Sequence, residues 1–267
     1  MLVSAQFRQR RYFPFPRWEH LTEDVRLSVL EAEKAWHELG EQAGRASVRA
    51  PETLFPHPLA AASRALPRSR GGGAVEDDAL PLFASRLTRG FGELDADAFL
   101  ALLEDMATHL VGARQTVRRI PVATDPDREG IRILFPRSGT LHGRIRRLHQ
   151  YLSPAEGPPL FLAAVALVAI TNAHPFIDGN GRTSRLLFNL LINQGRRDGK
   201  LVVVRLHDLG NRPPGNLTLH MRSAELHGDW ALLIRFLSAA IIAGDARIWD
   251  IAASGQDDPE AGCQRLR

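Results

Sequence analysis

The sequence predicts a mostly α-helical protein, a helical bundle with one small β-hairpin, from three features. Apolar residues recur at helical spacing in several long stretches. One of these, Pro159 to Ile170, is apolar on every side, as expected of a helix in the middle of a bundle. Only two short β-prone runs, Val117–Val122 and Ile131–Phe135, can pair, across the turn formers Asp125 to Gly130.

Taken in order, residues 1–17 read as a loosely ordered lead. Thr22 with Glu23 and Asp24 starts a helix, because a hydroxyl cap and first-turn acids satisfy the exposed N–H groups. Leu21, Val25, Val29, Ala32, Trp36 and Leu39 mark its inner face, and Gly40 ends it. Ala46 to Asp78 is rich in Pro, Ser, Arg and Gly, which predicts a long mobile connection with one short helix around Leu59–Leu66. Helical patterning resumes at Leu80, and Phe99, Leu102, Leu103, Met106, Leu110 and Val111 form a stripe. The hairpin should lie on the helical body with a free edge. Helices are expected at Thr140–Leu152, Pro159–Ala173 and Arg182–Gln194, and a last one carries Trp230, Leu233, Ile234, Leu237, Ile241 and Ile242. Leu201–Leu206 reads as a short strand or a linker. The division is thus a lead and linker at 1–79, a folded domain at 80–253 with its core at about 140–195, and a disordered polar tail at 254–267.

At 267 residues, with 44% hydrophobic and 24% charged residues, the chain has an ordinary globular composition. Met1–Pro16 holds Arg8, Arg10 and Arg11 but no apolar secretory segment follows them. The apolar run ending at Ile170 is too short to span a bilayer, so no membrane association is expected. A single cysteine, Cys263, allows no intrachain disulfide, and a reducing cytoplasm is the default expectation. The pI of about 9.9 accompanies a net charge of only +4, because nearly every base is arginine. The basic runs at Arg8–Arg11 and Arg144–Arg147 read as solvated surface, and nucleic-acid binding is not expected.

The chemistry gathers in His174-Pro175-Phe176-Ile177-Asp178-Gly179-Asn180-Gly181-Arg182-Thr183-Ser184-Arg185. His174 ends a rigid apolar helix, and a neutral imidazole can accept a proton near neutral pH. Pro175 turns the chain and Phe176 anchors the loop in the core. Asp178 offers a hard oxygen suited to Mg²⁺. Gly179 and Gly181 permit unusual backbone angles and close approach, and Asn180 can donate from its amide. Arg182 and Arg185 lie three apart at a helix N-terminus, where backbone N–H groups and the dipole also favour an anion. One loop would therefore aim a base, a carboxylate and two guanidinium forks at one phosphate-bearing ligand.

This run resembles the signature of the Fic domain, H-P-F-x-[D/E]-G-N-G-R-x-x-R, at every specified position. The likeness extends with decreasing clarity from about Leu80 to Trp249, and includes the hairpin, which is similar to the Fic flap. It implies a Fic-fold helical bundle that transfers AMP from ATP to a Ser, Thr or Tyr hydroxyl of a target protein, releasing pyrophosphate. By the same resemblance His174 is the general base, Asp178 holds Mg²⁺, Gly179, Asn180, Gly181 and Arg182 bind the phosphates, and Arg185 takes the γ-phosphate. Ile120, Val122, Ile131 and Ile133 would form the flap, which docks the target as an added strand. Gly181 departs from the Doc-like variant, which carries lysine there and transfers phosphate. Transfer of another phosphate-containing group, de-AMPylation, or a catalytically silent protein- or nucleic-acid-binding regulator are the alternatives.

Many proteins of this family carry an inhibitory [S/T]-x-x-x-E-[G/N] helix whose glutamate pairs with the second motif arginine. Glu-Gly occurs here only at Glu129-Gly130 and Glu156-Gly157, preceded at four residues by Asp125 and Leu152. No built-in glutamate brake of the usual form is therefore expected. That leaves a separate antitoxin-like protein, a diverged brake, or no brake.

Overall fold

The computed structural model describes residues 7–9, 14–42, 72–86, 91–124, 132–194, 200–210, 216–243 and 246–250. Its helices are α1 (Glu23–Gln42), α2 (Gly72–Arg86), α3 (Ala96–Val111), α4 (Leu141–Leu152), α5 (Pro159–Ala173), α6 (Asn180–Ile192), α7 (Leu206–Gly210), α8 (Asn216–His227) and α9 (Trp230–Ile242). The strands are β1 (Phe7–Gln9), β2 (Arg132–Leu134), β3 (Lys200–Val204) and β4 (Ala246–Asp250). The mostly helical expectation holds. Among the described residues, no helix is long and apolar enough to cross a membrane.

The bundle is organised around α5. Pro159 opens it, where the missing N–H costs no bond, and almost every later side chain is buried. Its closest partner is α6, whose Leu186, Leu187, Phe188, Leu190 and Leu191 are all buried. Glu33 of α1 accepts a hydrogen bond from Leu160 N at 3.0 Å, so a carboxylate sits on the N-terminal turn of the central helix. Burial pushes the Glu33 carboxyl above its ordinary value, and the bond to Leu160 offsets part of that rise. The face of α1 bearing Val25, Val29, Ala32 and Trp36 is fully inside, and α1 packs mainly on α9.

α3 is capped at both ends. The Asp95 carboxylate accepts from Asp97 N and Ala98 N, and Gly112 closes the helix in the left-handed conformation. Asn189, buried in α6, accepts from Val204 N at 2.8 Å and donates to Val204 O at 3.1 Å, which fastens β3 to the bundle.

Several expectations need correction. Helix α2 begins at Gly72, well before Leu80, so the end of the expected linker is helical. Leu201–Leu206 becomes mostly strand, because β4 pairs with it antiparallel. The run Val117–Val122 does not form a strand. Arg118 N instead donates to Pro175 O at 2.8 Å, and pairing is confined to a bridge between Ala123 and Leu134, with Thr124 N to Ile133 O and Phe135 N to Val122 O at 3.0 Å each. Nor is the hairpin edge free. β1 lies parallel to β2 on the side away from residues 122–124, in the register Phe7 with Arg132 and Gln9 with Leu134. The expected helix at 59–66, the disordered tail and Ile131 of the flap lie outside the described residues.

Candidate functional site

The loop from α5 to α6 is a built object. His174 closes α5 in the left-handed conformation, φ 48° and ψ 58°, with its N–H donating to Ile170 O at 2.9 Å. That is uncommon for a residue with a Cβ and costs on the order of 1 kcal/mol, so the surroundings must hold it. Arg118 does much of the holding. Only 3% exposed, its guanidinium donates to His174 O at 2.7 Å, Ile120 O at 2.8 Å and Pro136 O at 2.6 Å. One side chain thus ties the histidine to the segments entering and leaving the flap. Burial pulls the Arg118 guanidinium below its ordinary value. The His174 ring itself stacks on Phe135, just past β2, with centroids 3.9 Å apart and planes 19° apart.

Pro175 and Phe176 serve as anchors: both are buried, Phe176 completely. Asn180 is held within the loop by its side-chain amide, which accepts from Phe176 N at 2.8 Å and donates to Phe176 O at 2.9 Å. Buried at 3% exposure, it offers a ligand at most its main chain. Gly179 is required for shape. At φ +81° it caps α6, and a Cβ there would come within 2.7 Å of Val111 Cγ2.

The charged groups stand on the open side. Asp178 Oδ1 accepts from Gly179 N at 2.6 Å, and Oδ2 pairs with Arg182 Nη2 at 3.1 Å. Arg182 also donates to Leu110 O at 2.5 Å, so its fork bridges the end of α3 and the loop. The Asp178 side chain is 65% exposed. Among the described residues no three His, Cys, Asp or Glu side chains form a metal-binding group. A lone, accessible carboxylate fits a Mg²⁺ ion that takes its remaining ligands from phosphate and water.

Arg185 has a partner that the sequence did not reveal. Its Nε donates to Glu76 Oε2 at 2.8 Å and its Nη2 to Glu76 Oε1, a two-pronged pair in which Glu76 is 6% exposed. The sequence holds no glutamate of the usual inhibitory form and leaves a diverged one open. α2 supplies one from 109 residues upstream. It departs from the usual pattern at two positions, with Gly72 in place of the hydroxyl residue and Asp77 in place of Gly or Asn. Beyond Arg185 a cavity of about 310 Å³ opens between α5, α6 and α8. Leu167, Leu217 and Met221 give it an apolar side, and Arg185, Arg222 and Glu225 a polar one.

Of the expected flap residues, Ile120 is 58% exposed and precedes the pairing, while Val122 and Ile133 are half-buried within it. The missed residues are Arg118, Phe135 and Glu76, none of which carried a local motif.

Residues 93–192 match the Fic/DOC family model. That match spans less than half of the chain and marks the segment from before α3 to the end of α6 as similar to the family. It is 42% identical over 53 residues to a Fido domain-containing protein of Dictyostelium discoideum, 20% of this chain and 37% of that one. It is also 42% identical over 60 residues to the protein adenylyltransferase Fic of Drosophila grimshawi, 21% of this chain and 12% of that one. The chain thus spans a minor part of the length of both relatives. The fold is similar to that of a Fic family protein from Desulfovibrio desulfuricans, with TM-score 0.53 and 16% identity over 88% of this chain and 75% of that one. It is similar too to residues 134–508 of Fic-1 from C. elegans, with TM-score 0.50 and 19% identity over 83% and 72% of the two chains.

Proposed function

We propose that this protein is an adenylyltransferase that moves AMP from ATP to a hydroxyl side chain of a target protein. The observation that carries the proposal is the convergence at one loop of His174, Asp178, the α6 N-terminus, Arg182 and Arg185. The relatives named protein adenylyltransferase support it over the segment they share.

In this reading the hydroxyl oxygen attacks the α-phosphorus, the bond from that phosphorus to the β-bridging oxygen breaks, and pyrophosphate leaves. His174 takes the hydroxyl proton as the new P–O bond forms, its ring held by the Phe135 stack and its backbone by Arg118. Backbone N–H groups of the first turn of α6, with Arg182, oppose the charge that grows on the phosphates. Arg185 takes the terminal phosphate, and the cavity beyond it admits the nucleoside. Asp178 would hold Mg²⁺, which when bound supplies positive charge to the polyphosphate. Metal binding would require Asp178 to yield part of its contact with Arg182.

In the same reading Glu76 is a built-in brake, since its carboxylate fills the fork of Arg185 that the γ-phosphate needs. A carboxylate and a phosphate cannot both occupy it. Inhibition would then lie inside the chain, and a separate antitoxin-like partner would not be required.

The deciding experiment incubates the protein with ATP labelled at the α or the γ position, with and without His174→Ala. Label from α alone, lost in the variant, is the expected result. Label from γ would make the protein a kinase, and α label that survives His174→Ala would remove the proposed base. No label in the wild type or in Glu76→Gly, with retention on DNA, would favour the silent regulator.

A further inference from the structure

The flap edge carries an occupant that the chemistry above does not need. β2 lies between β1, with which it forms a two-stranded parallel sheet, and residues 122–124, which meet it through an isolated bridge. Thr124 N bonds to Ile133 O and Phe135 N to Val122 O, so the main-chain groups of 133 and 135 point toward residues 122–124. Those of Arg132 and Leu134 therefore point the opposite way, toward β1. In the observed parallel register, with Arg8 opposite Ile133, the β1 residue whose main-chain groups face β2 is Arg8.

The chain just after β1 is tied to the helical body. Tyr151 Oη donates to Pro16 O at 2.7 Å, the Phe15 and Tyr151 rings lie 4.9 Å apart, and those of Trp18 and Phe161 5.4 Å apart. A three-residue parallel pairing is weak in itself, with few ladder bonds and the less favourable geometry. Anchored from Phe15, six residues beyond Gln9, however, β1 faces the edge at an effective concentration on the order of millimolar. An extended segment from another protein would compete against that.

Resting on the adenylyltransferase reading, we propose that β1 is a tethered occupant of the flap edge, so that a target segment pairs with β2 only after residues 7–9 leave. The protein would then hold two intrachain restraints, Glu76 on the phosphate side and β1 on the target side. Their mechanisms differ: Glu76 excludes a phosphate through charge, and β1 excludes a polypeptide through main-chain hydrogen bonds, whatever the side chains.

The test uses the full-length protein and two substitutions. Arg8→Pro removes the N–H that faces β2, whereas Gln9→Pro removes one that points away. Amide exchange at Leu134 should rise at least tenfold in Arg8→Pro and stay near wild type in Gln9→Pro, with Phe135 unchanged in both. A fluorescent peptide spanning residues 3–13 of this chain should then bind Arg8→Pro at least tenfold more tightly than wild type. Neither readout involves nucleotide, so both stand even if AMP transfer is disproved. In a Glu76→Gly background, Arg8→Pro should further raise α-labelling of proteins in a cell extract severalfold. Unchanged exchange at Leu134 would overturn the proposal. So would equal peptide binding by wild type and variant, or unchanged labelling by an otherwise active enzyme.

Discussion

The loop from α5 to α6 and the segments before residue 87 differ in how they reach the site. In the loop, every part follows its neighbour in sequence. His174 caps one helix, Gly179 caps the next, and Asp178 and Arg182 pair four residues apart. The upstream segments come from far away. Glu76 reaches Arg185 across 109 residues, and β1 reaches β2 across 125 by register. In the proposed reading the local region holds the chemistry, and the distant one holds contacts that stand where reactants would go. Catalytic groups must keep fixed geometry and so ride on continuous rigid elements, whereas a restraint has to leave and is better placed on a separate one.

The largest effect that would sharpen this contrast is on activity. Glu76→Gly frees the Arg185 fork, and α-labelling should rise at least tenfold, about 1.4 kcal/mol or more of released inhibition. Adding Arg185→Ala should abolish the gain, because both changes act through one contact. A gain that persists in the double variant would show that Glu76 acts elsewhere.

Arg118→Met tests whether the loop depends on anything beyond its own neighbours. Three carbonyls lose their donor, at a cost of about 3 kcal/mol of stability by chemical denaturation. Turnover should fall more than the apparent affinity for ATP, since Arg118 holds His174 rather than the phosphate groups. Arg118→Lys should restore little, because an ammonium cannot span three carbonyls in fork geometry.

Gly179→Ala adds a methyl 2.7 Å from Val111 Cγ2 at a left-handed backbone position. A loss of about 2 kcal/mol is expected in the same assay. Gly181 lacks a positive φ, and its Cβ would meet only a guanidinium nitrogen of Arg185 at 3.3 Å, so Gly181→Ala should cost far less stability.

The smallest effect concerns Glu33. Its carboxyl is raised above the ordinary value, so the folded state holds the proton more firmly than the unfolded chain. Its contribution is therefore full below the unfolded value and is lost as pH rises through the folded one. Glu33→Gln keeps the acceptor for Leu160 N without the charge. It should raise the melting temperature by about 1–2 °C at pH 7 and leave it unchanged near pH 4. No gain at pH 7 would mean that the helix N-terminus fully compensates the buried charge.

Legibility followed distance along the chain. Pro159–Ala173 could be read to the residue, because proline starts the helix and its all-round apolarity demands burial. The bonding of the Asn180 amide was not legible, because an exposed amide and one stapled to Phe176 look alike in a sequence. α8 was missed because its apolar residues do not gather into one clear stripe. β3 stayed ambiguous because its partner β4 lies more than 40 residues on, and a lone strand has no local energetic identity.

By itself the sequence determined the helical class, the central helix and the grouping of imidazole, carboxylate and guanidinium on one loop. Each follows from periodicity and bonding within a few residues. Only the tertiary structure decided that Arg118 clamps the histidine, that Glu76 fills the fork of Arg185 and that β1 covers the flap edge. Those contacts join groups far apart in the chain, and a buried charge or a strand edge accepts any partner of suitable chemistry that the fold brings within reach.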